Sequence, residues 1–543
     1  MTDIIQNPIL KGFNPDPSIV RVGDDYFIAT STFEWYPGVQ IHHSKDLKNW
    51  KLIGHPLKSL SQLDLRGVPD SCGVWAPCLS YDKGTFYLVY SNVKNFEGPW
   101  KDTPNYVVTT DNIFGEWSEP SFLTSCGFDG SLFHDDDGKK YFLSMIVDHR
   151  GGKFFGGIVI QEYDVESKKL VGEMHHIYEG SELGLTEGPH IIKKDGYYYL
   201  ITAEGGTEYD HAVSIARSKE LFGTYETAPN NPLVSAKDFP DNALQKSGHG
   251  DLFQAENGEW YCVFLTGRPL TKRGKCTLGR ETSIEKIIWE KGEWPRTFSG
   301  SKAPRLEVEG IGKNYTFSNE EPFQENFTNE KLSPHFASLR EPFDKSWVNI
   351  ENGELVIKGR SSLSSYHTQS MVARRVQSHA VETAVKLDYS PENFQQMAGL
   401  VCYYNTQHFH YLYLTSNDNG KTKQLQIISA NRFQYDEVDV KETSFPIDQT
   451  VYLKVKFERE NIQFYYSLND KDFIEFGPTL NGSILSDDYI QYDGTGRYRP
   501  AFTGSFIGMT CQDLSGQLKE AAFGYFHYKE YQEKLETSTE ETH

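Results

Sequence analysis

The sequence predicts an all-β protein: a five-bladed β-propeller over residues 1–310, a β-sandwich over 320–532, and a frayed charged tail over 533–543. Three observations predict it. Five segments of one plan start at Asp16, Ala76, Asp129, Glu187 and His249, which are 60, 53, 58 and 62 positions apart. Each opens on a variable residue followed by Pro or Gly, runs through a short apolar strand into a tight turn, and continues as a Tyr/Phe-rich strand. Beyond about residue 305 this plan vanishes and ordinary apolar/polar alternation takes over. Several strands per unit, repeated at a period of this length, is the pattern of a propeller with one small sheet per blade.

Taken in order, the blades justify themselves locally. Four of the turns are Lys83-Gly84, Asp137-Gly138, Asp195-Gly196 and Asn257-Gly258, where the glycine meets the positive φ of a tight hairpin. A further strand and a closing phrase recur less strictly, in 44–50, 110–117 and 218–225, each ending on Trp or Tyr. Past the propeller, 353–359, 451–457 and 462–467 alternate as half-buried strands do, with Asn352-Gly353 and Asn419-Gly420 as turns. Many such strands over a stretch of ~200 residues read as a sandwich. The Thr-rich charged end has no apolar period to hold it and is expected to fray.

Composition removes whole classes of function. Length 543 fits two large all-β domains, and 38% hydrophobic with 24% charged residues supplies cores without the charge density of a disordered chain. The net charge is −21 and no Lys/Arg block interrupts it, so no nucleic-acid partner and no anionic lipid surface is expected. No apolar run is long enough to cross a membrane as a helix. Seven scattered cysteines without a CxxC pair read as reduced thiols, and the first residues lack a basic, apolar leader; both point to the cytoplasm.

The first strand of each propeller blade lines the axis, so the five segment starts form a ring at one mouth of the channel. Three of those five positions, Asp16, Asp129 and Glu187, are carboxylic acids, although packing requires no acid there. Acids converging on a low-dielectric mouth repel one another, and the least solvated keeps its proton near neutral pH. That division of labour suits glycoside hydrolysis, in which one carboxyl protonates the leaving oxygen and another serves water or attacks. Hard cations also seek clustered carboxylates, so cation binding is the rival reading, weakened by the absence of a DxDxDG loop. Phe33, Trp75 and Phe128 flank ring positions and offer flat faces for a sugar. Taken singly, Asp16 also reads as a turn cap, Glu187 as a solvated loop acid and His249 as a buried core histidine.

These residues also carry a family resemblance. Asn14-Pro15-Asp16-Pro17-Ser18, Trp75-Ala76-Pro77, Phe128-Asp129-Gly130-Ser131, Thr186-Glu187-Gly188-Pro189-His190 and Leu278-Gly279-Arg280-Glu281-Thr282 resemble glycoside hydrolase family 43. The likeness is to its two-domain β-xylosidases, with 395–400 and 502–504 similar to their concanavalin-like second domain. The resemblance implies an inverting hydrolase that releases xylose from the non-reducing end of β-1,4-xylo-oligosaccharides, with α-L-arabinofuranosides as the alternative substrate. A non-catalytic sugar-binding propeller is the alternative from another class, disfavoured by three intact acids. By position, Asp16 corresponds to the general base, Glu187 to the general acid and Asp129 to the residue that tunes it. Arg280, His249 and Thr207 would bind the sugar, Phe33, Trp75 and Phe128 would wall its subsite, and Phe502 would reach in from the second domain. The family requires no organic cofactor, and the resemblance admits a calcium ion in the channel near His249 and a homo-oligomer. One departure stands out: Cys78 follows Pro77 where the family usually carries Asp.

Overall fold

The computed structural model describes residues 3–317, 323–432, 434–492, 496 and 498–531; the tail expected over 533–543 lies outside them. Five antiparallel sheets follow one another along the chain, each with its strands in sequence order. Their innermost strands are Ser18–Val22, Gly73–Asp82, Ser131–His134, Glu187–Lys194 and Gln245–Gln254. Each touches the next, and the first also packs on the fifth, so the ring is closed. The N-terminal segment seals it: Leu10 and Thr282 exchange both backbone hydrogen bonds, and the Asn7 side-chain amide spans Ile284 of the fifth blade. Strand Ile4–Gln6 then pairs with Glu307–Glu309 from the end of the propeller.

The blade starts share a backbone peculiarity that the repeat alone did not reveal. Asp16, Ala76, Asp129 and His249 all have positive φ, at 55°, 33°, 57° and 45°. The pairing register slips at the same place in three blades, between Trp75 and Cys78, Glu187 and His190, and Gly248 and Gly250. Such bulges turn a side chain out of the ladder and toward the channel mouth. A left-handed L-residue costs ~1–2 kcal/mol, a strain that tends to persist where the conformation serves a site. In the fourth blade the positive φ falls on Gly188, at 57°, one residue past Glu187. A Cβ there would lie 2.8 Å from His249 Nε2, so only glycine fits both the conformation and the space.

Two sheets form the second domain. One runs from Val348–Glu351 and Glu354–Lys358 through Glu520–Glu530, Ala380–Asp388 and Val451–Glu458 to Asn461–Ser467 and Ile474–Asn481. The other is centred on Gln396–Asn405, His408–Thr415, Phe506–Asp513 and Met371–Arg375. Every second residue of Val451–Glu458 is buried, as the alternation predicts, and the inner faces enclose Leu355, Val385, Leu400, Leu453 and Met509.

The domains are fused rather than merely adjacent. Trp35–Tyr36, a propeller segment, adds as an edge strand to the second sheet of the sandwich by pairing with Leu339 and Ser338. Trp35 stacks on Phe506 at 3.6 Å, and one apolar core runs from the first four blades into Val401, Tyr403 and Phe506. Buried Arg340 crosses the junction, donating to the Val68 carbonyl at 2.7 Å and to Asp70 at 2.8 Å. Arg375 likewise donates to the Phe13 carbonyl at 2.9 Å. Through these ties the sandwich fixes the segment carrying Phe33 and brings its own Phe502 over the channel mouth.

Candidate active site

Every sequence-predicted site residue lines one small chamber of about 50 Å3: Asp16, Phe33, Trp75, Phe128, Asp129, Glu187, Thr207, His249, Arg280 and Phe502. Its acids, His249 and Trp75 come from the starts of inner strands, Thr207 from the loop after the fourth blade's second strand, and Arg280 from just before Glu281–Ile288. Phe502 is the sandwich's contribution. Its backbone N–H donates to Ser71 Oγ at 3.1 Å and its carbonyl accepts from Arg280 at 3.0 Å. A wider cleft of about 810 Å3 lies next to the chamber and shares with it Trp75, Phe128, Glu187, Thr207 and Phe502. Asp16, Asp129, His249, Arg280 and Phe33 belong to the chamber alone, so Glu187 stands at the junction and Asp16 in the interior.

The three acids occupy different electrostatic settings. Burial pushes the Asp16 carboxyl up, but Arg280, His249 and a hydrogen bond from Ser31 outweigh it and hold the group below the ordinary carboxylate range. Ser31 Oγ donates to Asp16 at 2.6 Å and accepts from the Ala76 N–H at 2.7 Å, which fixes its proton on the carboxylate. Arg280 Nη1 reaches Asp16 at 3.2 Å and also donates to Thr207 at 2.9 Å. The guanidinium lies 5.4 Å from the ring centres of both Phe33 and Phe502, which hold it in one plane. Asp16 is therefore an anion poised to accept a proton.

Glu187 is the opposite case. Desolvation raises its carboxyl well above the usual range, the charges of Asp129 and Asp16 add to that, and Arg280 opposes them. Asp129 is pushed up to about 8 by burial and then by Asp16, against the Gly188 N–H that donates to it at 3.1 Å. Two neighbouring acids of this kind retain a proton between them at neutral pH, and Glu187 is the one facing the cleft. His249, 3.5 Å from Asp16 through Nδ1, is lowered to about 4 by burial and so is neutral at physiological pH.

These settings make the pH dependence predictable. With Asp16 as base and Glu187 as acid, the kcat/KM profile is expected to be a bell whose acidic limb lies below the ordinary aspartate range. Its alkaline limb reports the raised Glu187. Asp129→Asn removes a charge that raises Glu187, so the alkaline limb moves to lower pH. An alkaline limb that stays in place would remove the tuning role from Asp129.

Sequence reasoning named no role for Ser31, although it orders the Asp16 carboxylate, because a hydroxyl fifteen positions past the blade start is common to the first four blades, as Ser31, Ser91, Ser144 and Thr202, and so reads as part of the repeat. It also passed over His190, which sits beside Asp251 at 3.9 Å and is raised to about 9: burial lowers it, and Asp251 and a hydrogen bond with Cys78 overcome that. Cys78 thus occupies the channel next to His190, where an acid was expected from the resemblance. The same residues test the calcium expectation. Among the described residues no three His, Cys, Asp or Glu side chains converge as a ligand set, and no step is derived through a cation.

Comparisons with known proteins agree with this architecture. Residues 5–295 match glycosyl hydrolases family 43, and 324–529 match the β-xylosidase C-terminal concanavalin A-like domain. A Bacillus subtilis protein named β-xylosidase is 47% identical over 97% of this chain and 99% of its own length. A Humicola insolens protein named xylosidase/arabinosidase 43B is 45% identical, covering 97% and 98%. The crystal structure of a xylan β-1,4-xylosidase from Bacillus halodurans superposes with a TM-score of 0.93 at 50% identity, covering 97% of this chain and all of that one. With its propeller, its three converging acids and its sandwich cap accounted for, the chain belongs to glycosyl hydrolase family 43.

Proposed function

We propose that this glycoside hydrolase removes single xylose residues from the non-reducing end of β-1,4-xylo-oligosaccharides, with inversion at the anomeric carbon. The observation that carries the reading is the position of Glu187 between a small chamber and a larger cleft. A proton donor belongs beside the glycosidic oxygen, so the terminal sugar occupies the chamber and the leaving group the cleft. Phe502 closes the chamber over that sugar, which suits cutting at a chain end rather than within a polymer. Arg280 and Thr207 offer donors to its hydroxyls, while Phe33, Trp75 and Phe128 cover its apolar faces.

In the reaction, Asp16 accepts a proton from a water molecule as the water attacks the anomeric carbon. Glu187 gives its proton to the departing oxygen. One C–O bond forms and one breaks in the same step, with positive charge developing on the sugar ring between the two carboxyl groups. Asp129 keeps Glu187 protonated until then. No metal enters this scheme, and oligosaccharides already inside the cell are the substrates it envisages.

The second reading, an enzyme mainly for α-L-arabinofuranosides, is favoured by the name of the Humicola insolens relative. The test is kcat/KM on xylobiose, nitrophenyl β-D-xylopyranoside and nitrophenyl α-L-arabinofuranoside. The expected order places the xylopyranoside above the arabinofuranoside and gives ready cleavage of xylobiose. A higher value for the arabinofuranoside, with xylobiose left intact, would reverse the assignment.

A further inference from the structure

The wider cleft outside Glu187 is far larger than the chamber, at about 810 against 50 Å3, and its walls are mainly rings. Trp75, Phe96, Phe128, Phe154, Phe155 and Tyr498 all line it. They form a connected set: Phe96 meets Phe154 edge-on at 5.5 Å, Phe154 meets Phe155 at 4.8 Å, and Phe128 lies 6.0 Å from Phe154 with its plane tilted by 30°. Phe96, Phe154 and Phe155 are only half-buried, and Tyr498 is exposed, so ring surface is presented to whatever occupies the cleft.

The polar groups of the same walls are largely engaged already. Lys101 donates to the carbonyls of Gly98, at 2.6 Å, and Phe96, while its ammonium covers the Phe96 and Phe154 rings at 4.6 and 5.3 Å. Tyr209 donates to the Gly274 carbonyl at 2.5 Å, and Glu208 accepts from Tyr492. Thr207 accepts from Arg280, and Asp210 and Lys153 face Lys237 and Glu179. A second xylose brings hydroxyls on every side, and each one desolvated without a partner is unfavourable. An aromatic ring brings none and gains from offset or edge-on contact with the exposed rings.

We infer that the leaving-group side of this active site is built for an aromatic aglycone: the cleft accepts aryl β-xylosides, or oligosaccharides whose leaving group carries an aryl substituent, more tightly than plain xylobiose. This rests on the xyloside reading above and adds the chemistry of the second subsite. Phe154, at the centre of the ring set, is a specificity-determining residue for that half of the substrate.

Hydrolysis rates cannot test this, since phenols leave faster than sugars for reasons unrelated to binding. Calorimetric titration of the full-length protein with sulfur-linked analogues, whose bond resists hydrolysis, isolates affinity. The probes are methyl 1-thio-β-D-xylopyranoside, phenyl 1-thio-β-D-xylopyranoside and sulfur-linked xylobiose. Phenyl is expected to bind about tenfold more tightly than methyl and more tightly than the thio-disaccharide. Phe154→Ala is expected to erase most of that advantage while leaving the methyl compound within about twofold, and Phe154→Leu, which keeps apolar bulk without a ring, is expected to do the same. If the phenyl compound binds no better than the others, or its advantage survives both substitutions, the inference is overturned and the xyloside reading stands. If none of the three ligands binds, the xyloside reading itself fails and takes the inference with it.

Discussion

Asp16→Ala is expected to lower kcat/KM by on the order of 10^4-fold on every substrate, whatever its leaving group. Asp16 is the chamber acid held below the ordinary carboxylate range, by Arg280 and His249 and by the hydroxyl of Ser31, against the cost of its burial. No neighbour can replace it. His249 is neutral but lies against Asp16 itself, and Asp129 stands beside Glu187, where it accepts from the Gly188 N–H. A loss of this size corresponds to about 5.4 kcal/mol of transition-state stabilisation. The removed carboxylate leaves space, and azide, which attacks without giving up a proton, is expected to restore turnover and to yield the α-xylosyl azide. Steady-state rates on xylobiose and on an aryl xyloside, with and without azide, check both statements. Substantial residual activity in the absence of azide would show that Asp16 does not serve the water.

Glu187→Ala has an effect that depends on the leaving group. Xylobiose expels a sugar alkoxide that must be protonated, and a loss of about 10^2- to 10^4-fold is expected there. A dinitrophenyl xyloside expels a stable phenolate, so its loss is expected to stay within about tenfold. The alkaline limb of the pH profile also disappears on the activated substrate, because the group raised by desolvation and by Asp129 is gone. Comparing kcat/KM of the variant on the two substrates reads this directly. Equal losses on both would contradict the acid role of Glu187 and leave it a binding group.

Most of this site was legible in the sequence because a repeat makes absence of need visible. Asp16, Asp129 and Glu187 stand where Ala76 and His249 also stand, so the position tolerates many side chains and its acids require another explanation. What the repeat does not set apart was not legible. Ser31 acts through a hydroxyl that Ser91, Ser144 and Thr202 repeat at the same offset in the next three blades, so nothing in the pattern singles it out. Phe96 and Phe154 lie in loops of the second and third blades whose lengths and composition are individual, and their meeting depends on how those blades stand side by side. Trp35–Tyr36 is a two-residue strand whose partner, Leu339–Ser338, is some 300 residues away, and no local pattern announces such a pairing. The positive φ of Asp16, Asp129 and His249 was likewise not legible, since none of these residues signals that conformation as glycine does.

In the proposed mechanism Asp16 in the chamber activates water while Glu187 at its mouth protonates the leaving oxygen from the other side. Inversion of this kind needs room for a water between base and sugar, with carboxyl groups about 6.5–9.5 Å apart, against about 5–5.5 Å where the second carboxyl attacks the sugar itself. Asp16 and Glu187 begin the first and fourth inner strands of a closed five-membered ring, which are non-adjacent places, whereas Asp129 and Glu187 begin adjacent ones. Proton NMR of a β-xyloside digest, recorded before mutarotation, decides the matter. α-Xylose is expected to appear first; β-xylose appearing first would rule out water activation by Asp16 and make it a nucleophile.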